Sequence, residues 1–234
     1  MSLLTIIQAA ADRIGIPSPT AVISSSEPNV RMMLSLSNQE GVELARRHAW
    51  QRITNEHTFA TVNGTVAYAL PTDFDRLLEG TMYNRTQDRL VVGPITPQRW
   101  QQMQANLTVG TWTAVYIRGN YLRLTPTPTA AETIAFEYVS KYWCGLAADT
   151  SATALKWAND DDITFLDEEL VSLGVVWRFL RARGLDYSEA FRSYEEAVSE
   201  RKANDGGMRI LDLGNQPGTT LSDPSIADGN WSLT

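Results

Sequence analysis

The chain has 234 residues, 27 acidic against 20 basic side chains, and a formal charge of -7. With 43% hydrophobic and 20% charged residues it can bury a substantial core, which excludes wholesale disorder and the collagen-like and disulfide-scaffold classes. The acidic balance gives no drive toward nucleic acid or an anionic membrane, and two histidines with one cysteine cannot assemble the usual zinc ligand sets.

Ser2 is placed to cap a first helix that runs to about Ile14, because Leu3, Ile6, Ile7, Ala10 and Ile14 recur at helical spacing and Gly15 ends it. Met1 to Ala11 lacks the basic start of an export signal, and no later stretch is long enough to span a bilayer, so the chain reads as cytosolic. Pro17, Pro19 and four serines make 16–26 a loop. A second helix starts near Ser26 with Pro28 in its first turn and runs to about Trp50. Val30, Met33, Leu34, Gly41, Leu44, Ala45 and His48 lie along one side, with Arg31, Glu40, Glu43, Arg46 and Arg47 supplying charge elsewhere.

From about Glu56 the period becomes strand-like. His57 to Thr61 and Val66 to Leu70 flank Asn63-Gly64, and Trp112 to Ile117 and Tyr121 to Leu124 flank Gly119-Asn120, which predicts two hairpins. Met82 to Tyr83 is expected to pair with Arg89 to Val92, Thr96 to Ala105 to form a short helix opened by Pro97, and Thr133 to Val139 to add a strand. Helical signals return after Asp160 to Asp162. Phe165, Leu166, Leu170, Leu173, Trp177 and Leu180 make a wide apolar stripe, and arginines at 178, 181 and 183 suit the helix C-terminus. Gly184 stops that helix, Asp186 caps the next, and Tyr187, Phe191, Tyr194 and Val198 repeat along it. Leu170, Leu173, Trp177, Leu180, Tyr187, Phe191 and Tyr194 are the expected bundle core. The last segment is rich in Gly, Asn, Pro, Asp and Thr. Its isolated Ile210, Leu211, Leu213, Leu221, Ile226 and Trp231 suit an extended tail that docks on a partner surface.

The expected fold class is α+β. Helices from both ends form an antiparallel bundle, a β-rich insertion projects from it, and an extended C-terminal tail follows. The boundaries are 1–55, 56–145, 146–207 and 208–234.

Catalytic chemistry finds little footing. His48 falls on the inner face of a helix and suits hydrogen-bonded packing, His57 opens a strand as a surface residue, and Cys144 suits burial better than nucleophilic attack. No Gly-rich phosphate loop follows a strand. Asp160, Asp161 and Asp162 lack calcium-loop spacing and read as a solvated cluster leading into a helix, with a bound divalent cation left open. Asp73 and Asp75 stay ionised as turn carboxylates. Trp157 and Trp231 sit in polar, irregular stretches, where interface contact and loop anchoring are both open.

Two stretches carry a resemblance. One is Tyr68-Ala69-Leu70-Pro71-Thr72-Asp73-Phe74-Asp75-Arg76-Leu77, a strand entering a Pro-Asp-Phe turn. The other runs from Phe136-Glu137-Tyr138-Val139-Ser140-Lys141-Tyr142-Trp143-Cys144 through Phe165-Leu166-Asp167-Glu168-Glu169-Leu170 to Trp177-Arg178-Phe179-Leu180-Arg181-Ala182-Arg183-Gly184-Leu185-Asp186-Tyr187. With the order of elements over residues 1 to 210, the sequence resembles the head-to-tail adaptors of short-tailed bacteriophages, including their tail-tubular and portal-bound adaptors.

The resemblance implies a structural virion protein without catalytic activity or cofactor. It would form a ring, commonly of twelve copies, beneath the portal protein, extend the DNA channel without sequence-specific binding, and give tail nozzle or fibre proteins a platform. Assembly would take place in the host cytoplasm, with no membrane contact and with the C-terminal segment reaching the portal. A tail-associated carbohydrate-binding or cell-wall-acting protein is the alternative, although no carboxylate pair across a cleft is readable.

Overall fold

The computed structural model describes residues 2–105 and 113–206. Its helices and strands alternate in two regimes. α1 (Leu3–Ile14) and α2 (Pro28–Arg47) open the chain. There follow β1 (Thr54–Ala60), β2 (Ala67–Ala69), β3 (Phe74–Leu77), β4 (Tyr83–Asn84), β5 (Arg89–Leu90), α3 (Pro97–Ala105), β6 (Ala114–Arg118), β7 (Tyr121–Thr125) and β8 (Thr133–Ser140). β9 (Cys144–Gly145), β10 (Ile163–Thr164), α4 (Glu168–Ala182) and α5 (Ser188–Asn204) complete the described elements. Among the described residues the fold is mixed α and β, with five α-helices and antiparallel pairing of the strands.

Local chemistry explains the helix ends. Ser2 accepts the Thr5 N–H at the start of α1, and Asp167 accepts the N–H groups of Glu169 and Leu170 at the start of α4. α2 has no side-chain cap and begins on Pro28, whose missing N–H costs nothing in a first turn. It stops at Arg47, three residues short of the expected Trp50, because His48 is already extended at φ -150. At the start of α5, Tyr187 holds the cap position while Asp186 accepts both the N–H and the Oγ–H of Ser188.

α4 is the central helix and lies against α1, α2 and α5. Leu3, Ile6, Ile7, Met33, Leu44, Leu170, Val171 and Val175 close the helical core, joined by Val139, Trp143 and Cys144 from the β segment. A second core forms between the sheets from residues such as Leu70, Met82, Val115, Leu122, Leu124, Ile134 and Phe136.

β8 organises the larger sheet. It pairs with β1 along seven residues and with β3 and β4 on its other edge, which is why it is apolar nearly throughout, with Glu137 alone exposed. β2, β7 and β6 form the second sheet. The β6–β7 hairpin is present as expected, with Gly119 at φ 63 supplying the positive φ that a two-residue connection needs. The Asn63-Gly64 hairpin is not. A turn exists there, but β1 continues onto β8 and β2 onto β7, so its two arms enter different sheets. Seven residues of pairing with β8 outweigh one favourable turn. Pro71 does open a turn, closed by the Phe74 N–H on its carbonyl. The chain then leaves it directly as β3, and His57 lies mid-strand in β1 rather than at its start.

Candidate functional site

A buried charged cluster ties α2, α4 and α5 together. Glu40 of α2 is fully buried, and its carboxylate accepts the Nε–H of Arg178 at 2.7 Å and the hydroxyl of Tyr194 at 2.5 Å. Arg178, itself buried on α4, also reaches Glu43 at 2.7 Å and lies over the Trp177 ring at 4.4 Å. Gly174 makes room for this carboxylate, because any Cβ there would collide with the Glu40 side chain. At the rim Arg47 donates to Glu195 at 2.6 Å and covers the Tyr194 ring. Burial raises the Glu40 pKa despite the opposing pull of Arg178, and burial beside Glu40 raises that of Tyr194. Such a network cements helices rather than performing chemistry, since its carboxylates, guanidinium groups and phenol already pair with one another inside the protein.

Three surfaces surround this cluster. A groove of about 750 Å³ follows the outer side of α2, bordered by Ser35, Gln39, Val42, Arg46 and Lys156. At the C-terminal end of α5, Asp205 accepts the Gln51 N–H at 3.0 Å and stands 3.5 Å from His48 Nε2. Beside it lies a pocket of about 190 Å³ walled by Trp50, Arg52, Phe165 and Arg201. At the α4–α5 corner Leu185, Tyr187 and Phe191 are exposed, the last two resting on Trp177.

Among the described residues no group of His, Cys, Asp or Glu is arranged to hold a metal ion, and no helix is long and apolar enough to cross a membrane. The model of the SU10 adaptor protein family matches residues 1–220, which takes in both the helical and the β-rich parts. The chain belongs to that family. No curated protein matches the sequence. SU10 adaptor proteins are phage head-to-tail adaptors, so the chain has a structural role at the head-tail interface of the virion.

Within this SU10 adaptor protein the expected bundle residues divide by depth. Leu170, Trp177 and Tyr194 are buried, and Leu173 and Leu180 pack partly buried against the same core. Tyr187 and Phe191 are 39% and 38% exposed, a correction to their expected place inside. Both stand at the corner where α5 begins, so each ring touches Trp177 and also meets solvent. Ile210, Leu211, Leu213, Leu221, Ile226 and Trp231 lie outside the described residues.

The aspartates differ from expectation too. Asp160 accepts the N–H groups of Val22 and Ile23. Asp162 is buried and accepts those of Ala158 and Asn159, so two of the three clasp loops and Asp167 is the residue that leads into the helix. Trp157 is an internal anchor, edge-on to Trp143 at 4.9 Å. Asp73 accepts the Tyr138 hydroxyl at 2.9 Å, and burial, helped by this internal bond, pushes the phenol up to about 12. His48 is half-buried beside Trp50, and His57 sits between Phe59 and Phe136 with its pKa lowered by burial.

Glu40 and Arg178 are the residues the sequence reading misses, since it places Glu40 among the charges away from the apolar side of α2 and Arg178 among the cations at the helix C-terminus. The signal was their register. Glu40 falls seven residues after Met33 and four before Leu44, both inward-facing, and Arg178 interrupts an unbroken apolar run from Gly174 to Leu180.

Proposed function

We propose that this adaptor assembles as a ring of twelve copies beneath the portal protein, continues the DNA channel toward the tail, and offers tail nozzle or fibre proteins their attachment platform. The family match over residues 1–220 carries this reading. The helices, cross-tied by the Glu40–Arg178 cluster, form the rigid body of the ring, and the β-rich part faces the tail components. The net charge of -7 suits a channel through which DNA must slide, because few phosphate contacts means little counterion-release attraction.

The segment from Met208 to Thr234 is the portal-docking tail in this reading. α5 ends at Asn204, and Asp205 pins the exit point to Gln51, so a chain leaving there starts from a fixed position on the helical body. Deleting Met208 to Thr234 is expected to leave the melting temperature of the folded body within about 2 °C of the parent while abolishing co-sedimentation with purified portal. Unchanged portal binding by the shortened protein would refute the docking role.

A further inference from the structure

Two helix faces turned away from the core carry opposite charge. On α2, Arg31, Ser35, Gln39, Val42 and Arg46 recur at intervals of four, four, three and four residues and form one outer stripe, with Lys156 beside it across the groove. Arg31, Arg46 and Lys156 are exposed, and none makes an ion pair among the described residues. The one carboxylate in the groove, Glu43, is already engaged by Arg178. At about 1.5 Å per residue the stripe from Arg31 to Arg46 extends roughly 22 Å.

The outer face of α5, opposite the buried Tyr194 and Val198, presents Glu189, Arg192, Glu196 and Glu200. Arg192 bridges Glu189 at 3.0 Å and Glu196 at 3.8 Å, so one guanidinium stands against three carboxylates, and Glu200 makes no ion pair among the described residues. Ser193, Ser199 and Ala203 fill the same face, and such small side chains let another helix come near. From Glu189 to Glu200 the acidic stripe covers roughly 16 Å, which fits within the length of the basic one.

We infer that the α2 groove of one copy receives the acidic outer face of α5 from a second copy. The two surfaces differ, so the contact is heterologous: each copy uses its α2 groove on one side and its α5 face on the other, and the chain of contacts closes into a ring when the rotation per copy allows. Charge sets the register and the partner more than the total affinity, as rim charges do at protein interfaces. The inference rests on the adaptor reading and specifies the subunit contact within it. DNA is the less suitable occupant of the groove, because three cations spread over roughly 22 Å with a carboxylate between them lack the dense basic stripe of a phosphate-tracking surface.

Sedimentation of the full chain at low and high salt tests this. The parent protein is expected to self-associate with rising concentration, and salt is expected to weaken it. R31E/R46E/K156E and E189K/E196K/E200K, each with an unchanged melting temperature, are each expected to associate at least tenfold more weakly. An equimolar mixture of the two is expected to recover association, because every reversed groove then meets a reversed α5. The inference is overturned if the parent stays monomeric at low salt, if either variant associates like the parent, or if the mixture fails to recover. It is equally overturned if loss of 208–234 abolishes association while the α5 reversal does not, or if duplex DNA occupies the groove. Reversed variants that still build normal rings on portal would remove this contact and leave the adaptor reading standing, whereas a parent chain that ignores portal would remove that reading itself.

Discussion

Cys144 and Arg178 show how individual side chains are committed to the interior. The Cys144 thiol is fully buried, its hydrogen directed at the Ala154 carbonyl, and burial together with the Asp162 carboxylate pushes its pKa up to about 12. Since the thiolate is the reactive form, maleimide at pH 8 is expected to leave the native protein unlabelled for hours and to label it at once in urea. Rapid labelling of the native state would place this cysteine at the surface. Arg178 is the only cation within reach of the buried Glu40 carboxylate at hydrogen-bonding distance among the described residues. Arg178→Met is therefore expected to cost about 3–5 kcal/mol in urea unfolding, and the added Glu40→Gln change to return a large part of it, because the first strands a buried charge and the second removes it. A loss below about 1 kcal/mol would mean that water reaches the pair.

At the scale of elements, helices were legible where local signals decide them. Ser2, Pro28, Gly15 and Gly184 mark ends that the chain uses, and the stripe from Leu170 to Trp177 packs on the core as its spacing requires, with Leu173 partly buried. Strand partners were less legible. Asn63-Gly64 turns the chain but does not pair β1 with β2, since β8 offers a longer partner some eighty residues away, and nothing local encodes that choice. β3 was hidden for the same reason: Phe74 to Leu77 is short, carries Asp75 and Arg76, and exists as a strand only because β8 presents a free edge. The charged cluster was missed because composition treats Glu40 and Arg178 as surface residues, whereas register with Met33 and Leu44 places Glu40 inside and register with Val171 and Val175 places Arg178 there. Trp177 itself supports both α4 and the first turns of α5 through Tyr187, Phe191 and Tyr194. Trp177→Ala is expected to destabilise the protein by about 3–5 kcal/mol in thermal or urea unfolding. A change near zero would mean that α5 is held by its ion pairs alone.

At the scale of the whole molecule, several polar groups of the described residues are turned inward. Aspartates clasp loops, a carboxylate and a guanidinium lock three helices, and tryptophans 50, 100, 143, 157 and 177 are all buried. Those five indoles are unavailable for stacking on sugars, so the carbohydrate-binding alternative gains nothing from them. Among the outward surfaces are a pair of oppositely charged helix faces, an aromatic corner and a pinned exit toward the last 28 residues. Such surfaces suit a protein that works by position within an assembly. The most direct test is the mass of the complex formed when the full chain is mixed with purified portal rings. An increment of twelve copies per portal is the result this account predicts. A portal mass that stays unchanged at saturating protein would contradict it.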